Sequence, residues 1–295
     1  MRDMLRRVLP LTLLVLAVPA TAANAATTTK KAIWGPVEIE SESQFPVYRE
    51  LGAGIYQTTL KWDEVQSLEP LDAKDIDDPS YEWPDEIETV ISEAKSARIQ
   101  VALTITGAPK WAKKAGDFAA FAGAAAKKYR TVRLWSVWDG PYKRGASRYA
   151  QMLDGAYAKL KAANKANKVI GGNSTNASSA SWIARLKLPN GKRPRLDLYG
   201  QDVSGAKAPT SASLKALAKR VKSAFGAKKL YLTAGTSARG DKQAAWIGAA
   251  LKATKRDANV ATFSYRALID EDGRTGLVDA DGTKRGSVFN AFKRG

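Results

Sequence analysis

Short apolar runs alternate along the chain with longer stretches in which apolar residues recur every three or four positions. The runs are rich in β-branched and aromatic residues and predict buried strands, whereas the longer stretches predict amphipathic helices. Eight strands are predicted at 32–39, 55–60, 99–105, 132–138, 169–172, 196–201, 229–233 and 260–265. Helices are predicted at 45–51, 85–97, 117–129, 147–167, 181–186, 211–225, 242–255 and 286–292.

This strand–helix alternation predicts a parallel sheet covered by crossover helices. Eight such units in 295 residues match the size of an α/β fold of the (β/α)8 (TIM) barrel type. No linker or low-complexity tract divides the chain, so one barrel domain is expected over residues 26–295. A doubly wound open sheet is the alternative, but no Gly-x-Gly-x-x-Gly turn follows the first strand.

The first 25 residues have the pattern of a secretory signal peptide. Three arginines precede the apolar run 8–20, and Ala23-Asn24-Ala25 provides the small residues that a signal peptidase accepts. The apolar run is too short to span a bilayer comfortably, and no later segment is a better candidate. We therefore expect a secreted protein without a membrane span after removal of residues 1–25.

Two residue types are missing altogether, and their absence narrows the possible chemistry. The chain has no cysteine, which excludes disulfides and thiolate catalysis. It also has no histidine, which removes the usual acid–base group at neutral pH and most zinc sites. Any catalysis must use carboxylates, lysine, tyrosine or hydroxyls, and no metal or cofactor is expected.

The formal net charge is +18, and loss of the charges in the expected signal peptide leaves +16. Such an excess favours anionic partners, including anionic cell-wall polymers and acidic polysaccharides. Most of the lysines fall in predicted helices, so a solvated outer helix face is the simpler interpretation. No specific nucleic-acid contact is expected.

The predicted strand at 132–138 ends abruptly in a loop. Residues 132–138 are apolar, β-branched and aromatic, and Asp139-Gly140-Pro141 then interrupts the run abruptly. In parallel α/β folds the chemistry lies where strands end and loops begin. A catalytic side chain would be expected here, but the position is glycine.

Several of these segments together resemble the clan A glycoside hydrolases, the (β/α)8 retaining glycosidases that include β-xylosidase-like and cellulase-like enzymes. Trp135-Ser-Val-Trp-Asp-Gly-Pro141 is similar to the Trp-x-x-Trp-Asn-Glu-Pro signature of their fourth strand, and Leu230-Tyr-Leu-Thr233 to the seventh-strand run that ends in Thr-Glu. The further similar segments are 52–62, 99–111 and 276–292.

The resemblance implies two glutamates, about 5–5.5 Å apart, that act as acid/base and nucleophile. In this chain Gly140 stands at the acid/base position and Ala234 at the nucleophile position. Neither residue can donate a proton or form a glycosyl ester. Four supporting positions of the family also differ here, where the chain has Gln57, Gln201, Val203 and Ser264.

A sugar-binding cleft is expected to remain at the strand ends. Its aromatic candidates are Trp62, Trp111, Trp138 and Tyr265, whose rings would stack on sugar faces or, alternatively, pack against their own loops. Its hydrogen-bonding candidates are Asp139, Asn173, Ser174, Thr175, Asn176 and Gln201.

Three hypotheses follow. The first is a catalytically degenerate pseudo-glycosidase that binds a carbohydrate without cleaving it. The second is an active glycosidase with relocated carboxylates around Asp139, the best residual catalytic candidate, with partners among Asp202, Asp241, Asp270 and Glu271. The third is a basic scaffold that adheres to an anionic wall polymer.

Overall fold

The computed structural model describes residues 29–175, 179–255, 257–269 and 275–295. The expected signal peptide therefore lies outside the described residues, as do Asn176, Asp270 and Glu271. No helix in the described ranges is long and apolar enough to cross a membrane.

Eight parallel strands close into a barrel, as the sequence predicts. They are β1 (Lys30–Trp34), β4 (Ile55–Lys61), β5 (Gln100–Thr106), β6 (Leu134–Val137), β7 (Lys168–Thr175), β8 (Leu198–Asp202), β9 (Lys229–Ala234) and β10 (Val260–Tyr265). The barrel closes where β1 pairs with both β4 and β10, with Ala32 opposite Ile55 on one side and Ser264 on the other. A two-stranded antiparallel hairpin, β2 (Glu38–Ile39) and β3 (Glu42–Ser43), lies outside the barrel sheet.

Helices surround the barrel. They are α1 (Phe45–Glu50), α2 (Trp62–Val65), α3 (Asp85–Ser96), α4 (Ala115–Lys128), α5 (Ala146–Ala163), α6 (Ser179–Arg185), α7 (Ser211–Phe225), α8 (Gly240–Lys255) and α9 (Gly286–Arg294), with a 3₁₀ helix at Pro141–Arg144. Asp117 lies within the first turn of α4, where its carboxylate accepts the N–H groups of Lys113 and Lys114.

Two hydrophobic clusters result from strand alternation. The smaller one contains only strand residues, among them Ala32, Ile55 and Tyr231, and fills the barrel lumen. The larger one joins the outward faces of the strands to the helices. Because successive strand residues point to opposite sides, membership of a cluster shows which way a side chain points.

Candidate functional site

A cavity of about 360 Å³ opens at the carboxyl ends of the barrel strands. This is the face on which (β/α)8 enzymes carry their active sites. The lining residues are Trp138, Asp139, Gly140, Tyr142, Arg144, Asn173, Thr175, Asp202 and Arg266. Its size lies at the lower end of the range for small-molecule sites.

The loop after β6 forms one wall of this cavity. Trp138 and Gly140 both have positive φ angles, 64° and 55°, so the extended backbone ends at once and turns into the 3₁₀ helix. The Trp138 N–H still donates to the Ile105 carbonyl at 2.9 Å. At Gly140 the left-handed conformation favours glycine, and a Cβ would lie 3.3 Å from the Tyr142 hydroxyl.

Asn173 braces this turn from the neighbouring strand. Its amide nitrogen donates to the Ser136 hydroxyl and to the carbonyls of Val137 and Trp138, at 3.2, 3.1 and 2.5 Å. The close fit depends on Gly200, where a Cβ would lie 1.8 Å from Asn173 Oδ1. Asn173 therefore positions the cavity wall, and its amide nitrogen is already committed to protein acceptors.

Arg266 follows β10 directly, and its side chain reaches across the opening of the cavity, the mouth of the barrel. Its Nη2 lies 3.4 Å from Asp139 Oδ1 and 3.6 Å from Asp202 Oδ2, so one guanidinium joins the ends of β6 and β8. Its backbone N–H donates to the Ala234 carbonyl at 2.7 Å. The mouth thus presents two carboxylates held by one cation.

Arg144 and Tyr142 complete the wall on the other side of the loop. The Arg144 guanidinium lies 4.0 Å from the centroid of the Trp138 ring. Burial lowers the pKa of Arg144, the positive charge of Arg148 lowers it further, and Asp63 opposes the shift. Tyr142 remains 48% exposed and is the aromatic side chain of the lining that faces solvent most openly.

The lumen below the cavity is closed by a neutral hydrogen-bond network centred on Gln57. Its carbonyl oxygen accepts the hydroxyls of Tyr231 and Ser264 at 2.7 and 2.8 Å, and its amide donates to Thr104 at 3.2 Å. Burial raises the pKa of Tyr231 well above its usual value. An amide suits this dry position because an unpaired charge would be costly there.

Three predicted binding residues do not reach the cavity, and the expectation for them is corrected. Trp62 is 1% exposed and stacks on Phe121 at 5.5 Å in the outer layer. Tyr265 is fully buried, with its ring against Phe292 of α9. Gln201 is 1% exposed and accepts a hydrogen bond from Ser174 between the sheet and the helices.

The other two tryptophans are also engaged by protein groups. Trp111 packs edge-on against Trp62 at 5.6 Å and donates to the Gln66 carbonyl, outside the cavity lining. Trp138 does line the cavity but is only 7% exposed, with Phe118 on its edge and Arg144 over its ring. A sugar would have to displace Arg144 to stack on Trp138.

The two positions assigned to the catalytic glutamates differ in their surroundings. Gly140 lines the cavity. Ala234 is fully buried in the larger cluster, opposite Tyr265, and its methyl group therefore faces the helices. By strand alternation from Tyr231, Thr233 is the inward-facing residue near the end of β9. A catalytic nucleophile would have to face the cavity, so the assignment of residue 234 to that position is corrected.

The same alternation separates the remaining candidates. Asp202 and Thr175 line the cavity, whereas Gln201, Val203 and Ser174 are buried on the other side of the sheet. Asp241 lies in the first turn of α8 and does not line the cavity. Of the proposed carboxylate partners within the described ranges, only Asp202 accompanies Asp139.

Sequence reasoning missed Tyr142, Arg144 and Arg266. The candidates predicted at the strand ends were aromatic residues, carboxylates, amides and hydroxyls, and they included no arginine. Arg266 could have been found as the first residue after the last strand. Tyr142 and Arg144 directly follow the Asp-Gly-Pro break, where a loop from a barrel strand is expected to line the mouth.

Across the described ranges, no cluster of three or more Asp and Glu side chains is arranged to hold a metal ion.

No family model and no curated protein matches the sequence. Solved structures do match the fold. A family 39 glycoside hydrolase from Bacteroides cellulosilyticus WH2 gives a TM-score of 0.71 at 14% identity, over 91% of this chain and 64% of that one. A GH39 β-xylosidase from Caulobacter crescentus gives 0.68 at 18% identity, over 91% and 71%.

An enzyme of another kind matches along nearly its whole length. Xylanase 10B from Thermotoga petrophila RKU-1 gives a TM-score of 0.63 at 12% identity, over 91% of this chain and 93% of that one. The chain thus spans about 64% of the Bacteroides hydrolase but almost all of the xylanase. At these identities the similarity concerns the fold alone: the chain has a closed (β/α)8 barrel, as these glycoside hydrolases do.

Proposed function

We propose that this protein is an exported, catalytically degenerate glycosidase-like barrel that binds a carbohydrate at its mouth without cleaving it. The observation that carries the proposal is the composition of the cavity lining. Among the described residues it contains two carboxylates, two guanidinium groups, an amide, a hydroxyl and an exposed aromatic ring, and no glutamate.

Retaining hydrolysis needs one carboxyl group that protonates the leaving oxygen and a second that attacks the sugar. Gly140 offers no side chain for the first task. Near the end of β9 neither Thr233 nor Ala234 can carry out the second. The neutral Gln57 network is consistent with this loss, because an arginine at residue 57 would lack the carboxylates that pair with such a charge.

The same lining suits sugar binding. Asp139 and Asp202 can accept hydrogen bonds from hydroxyl groups while Arg266 holds both carboxylates in place. The half-exposed ring of Tyr142 offers an apolar face with a polar tip, a combination common in binding sites. Pocket shape and fixed polar groups therefore survive where the reactive groups do not.

Removal of the Tyr142 ring tests this binding mode. Tyr142→Ala is expected to weaken binding of the best ligand on a glycan array by about three- to tenfold, through loss of ring contact. Leu71→Ala is the control, because Leu71 is 95% exposed and lies outside the lining. Equal affinity of both variants in calorimetric titration would contradict the proposed site.

The alternative of relocated catalysis rests on Asp139 and Asp202. Because their oxygens contact the same nitrogen, they are at most about 7 Å apart, within the roughly 5–9.5 Å range of glycosidase pairs. However, the Arg266 guanidinium contacts both carboxylates and would have to move for a glycosidic bond to lie directly between them. Hydrolysis of aryl glycosides that Asp139→Ala and Asp202→Ala both abolish would establish this alternative.

Export is a separate part of the proposal and rests on the signal-like residues 1–25. If they are cleaved as proposed, N-terminal sequencing of protein from the culture medium gives a chain that begins near residue 26. Recovery of the protein only from the cells, with residue 1 intact, would contradict export.

A second candidate function, adhesion to an anionic wall polymer, is favoured by the distribution of charge. Basic residues occupy the last turns of the barrel helices, which lie on the face opposite the mouth. Lysines also begin β1, β7 and β9 on that face. Helix-end lysines partly balance the helix dipoles, but strand-start lysines have no such role. A cavity of about 450 Å³ there is lined by Lys30, Lys31, Arg98 and Lys255.

Matched triple variants test this second function. Replacing Lys30, Lys252 and Lys255 by glutamine is expected to abolish retention on an anionic wall polymer at low salt. Lys110, Lys113 and Lys114 are exposed on the mouth side of the barrel. Replacing these three by glutamine changes the net charge equally and is expected to preserve retention. Equal loss in both triples would indicate only a general charge effect.

A further inference from the structure

Arg144 places a second positive charge in the wall of the cavity. Its guanidinium lies 4.0 Å from the centroid of the Trp138 ring. In the described parts of the chain, no carboxylate oxygen comes within 4.0 Å of it and no acceptor takes a hydrogen bond from it. By contrast, the other arginine of the cavity, Arg266, contacts both Asp139 and Asp202.

The surroundings of Arg144 favour an incoming anion. Burial lowers the pKa of its guanidinium, as does the neighbouring charge of Arg148, and Asp63 only partly offsets them. A guanidinium that rests on an aromatic ring keeps the N–H groups along its edge, in a planar fork that matches a carboxylate. Its attachment to the short 3₁₀ helix between Gly140 and Gly145 fixes this fork at the cavity wall.

The cavity therefore offers two kinds of recognition at different places. Asp139 and Asp202 accept hydrogen bonds but repel a negative group, whereas Arg144 donates and attracts one. A ligand that satisfies both needs hydroxyl groups at one end and a single anionic group at the other.

We propose that the mouth cavity binds a sugar that carries a carboxylate, a uronic acid unit of an acidic polysaccharide. Its carboxylate pairs with Arg144, and its hydroxyl groups donate to Asp139 and Asp202. This inference rests on the proposed function and specifies its ligand class. It is distinct from adhesion through the opposite basic face, which needs only negative charge.

The test compares acidic oligosaccharides with their methyl esters, which share the sugar skeleton but lack the charge. Short oligomers of galacturonate, glucuronate and mannuronate are titrated calorimetrically into the full protein, each beside its ester. The matching acid is expected to bind at least tenfold more tightly than its ester, as is usual for charge-assisted hydrogen bonds.

Three variants assign this preference to a residue. Arg144→Gln is expected to bring the acid down to the affinity of the ester, and Arg144→Lys to retain part of the preference because the charge remains. Arg148→Gln is the control; Arg148 is exposed, does not line the cavity, and its loss changes the net charge equally. Melting temperatures of all three variants establish that they are folded.

The outcomes separate the inference from the proposed function. Equal binding of acid and ester overturns the uronate inference but leaves carbohydrate binding intact. A preference that persists in Arg144→Gln, or that favours sulfated over carboxylated sugars, also overturns it. Failure of every acid, ester and neutral sugar to bind would overturn both.

Discussion

At the scale of single residues, the mouth depends on two glycines, one where a Cβ would overlap a neighbour and one whose backbone conformation disfavours a side chain. Gly200 allows Asn173 to approach β8, and Asn173 in turn holds the carbonyls at the end of β6. Gly140 permits the left-handed turn that directs the chain towards Tyr142 and Arg144. These glycines have a structural reason independent of any lost catalytic group.

Gly200→Ala is the corresponding test. Its Cβ would overlap Asn173 Oδ1, so we expect a loss of about 2–3 kcal/mol in the free energy of unfolding and weaker ligand binding. Gly248→Ala is the matched control, because no atom lies within 4 Å of its added Cβ and alanine favours the helix by about 0.5–1 kcal/mol. Urea denaturation measures both; equal stability of the two variants would contradict the tight fit.

At the scale of the elements, most helices and strands were predictable from the sequence. The bounds of α7 and β10 match the prediction, because alternation and amphipathic periodicity are strong there. The side-chain directions at the strand ends were less predictable. A one-residue change of register reverses the facing of every side chain, and family motifs alone did not fix the register of β8 and β9.

The direction of the side chains at the end of β9 can be tested by substitution. Ala234→Glu buries an unpaired carboxylate between the sheet and the helices and is expected to cost at least about 3 kcal/mol without creating hydrolysis. Thr233→Glu points into the mouth and is expected to cost less than half as much. Chemical denaturation measures both variants, and the reverse order of stabilities would contradict the assigned facing of β9.

At the scale of the whole molecule, the ionisable groups give the pH dependence. The chain has no histidine, so side chains titrate mainly below pH 5 and above pH 8. Burial and the nearby Lys255 lower the pKa of Lys31 to about 8. Burial raises the pKa of six core tyrosines well above their usual value, namely Tyr48, Tyr56, Tyr129, Tyr149, Tyr199 and Tyr231.

These shifts act in opposite directions. Between pH 8 and 10.5 the unfolded chain keeps the Lys31 proton that the folded chain has lost, so stability rises with pH. Above pH 10 the tyrosines lose protons first in the unfolded chain, so stability falls. We expect a stability maximum close to pH 10 in urea denaturation, and Lys31→Met is expected to flatten the rise but not the fall. A monotonic decline from pH 8 would contradict these assignments.

In the two proposed functions, sugar binding and polymer attachment use opposite faces of the barrel. The mouth carries the polar cavity, and the face opposite the mouth carries lysines at helix ends and strand starts. The sequence predicted the net charge, and it predicted that most of the lysines lie on solvated helix faces. That these particular lysines share one face follows from the common direction of the barrel strands, and so it depends on the closed topology.

If the mouth binds a sugar and leaves it intact, as we propose, the sugar survives prolonged contact with the protein. The most direct test is to incubate the best-binding oligosaccharide with a stoichiometric amount of the purified protein and to analyse the recovered sugar by mass spectrometry. We expect saturable binding by the unaltered protein and full recovery of the uncleaved sugar. The recovery is expected to be the same with a protein that carries both Asp139→Ala and Asp202→Ala, whose binding is weakened because both hydroxyl acceptors are lost. Accumulation of shorter products with the unaltered protein, but not with the double variant, would contradict the proposal.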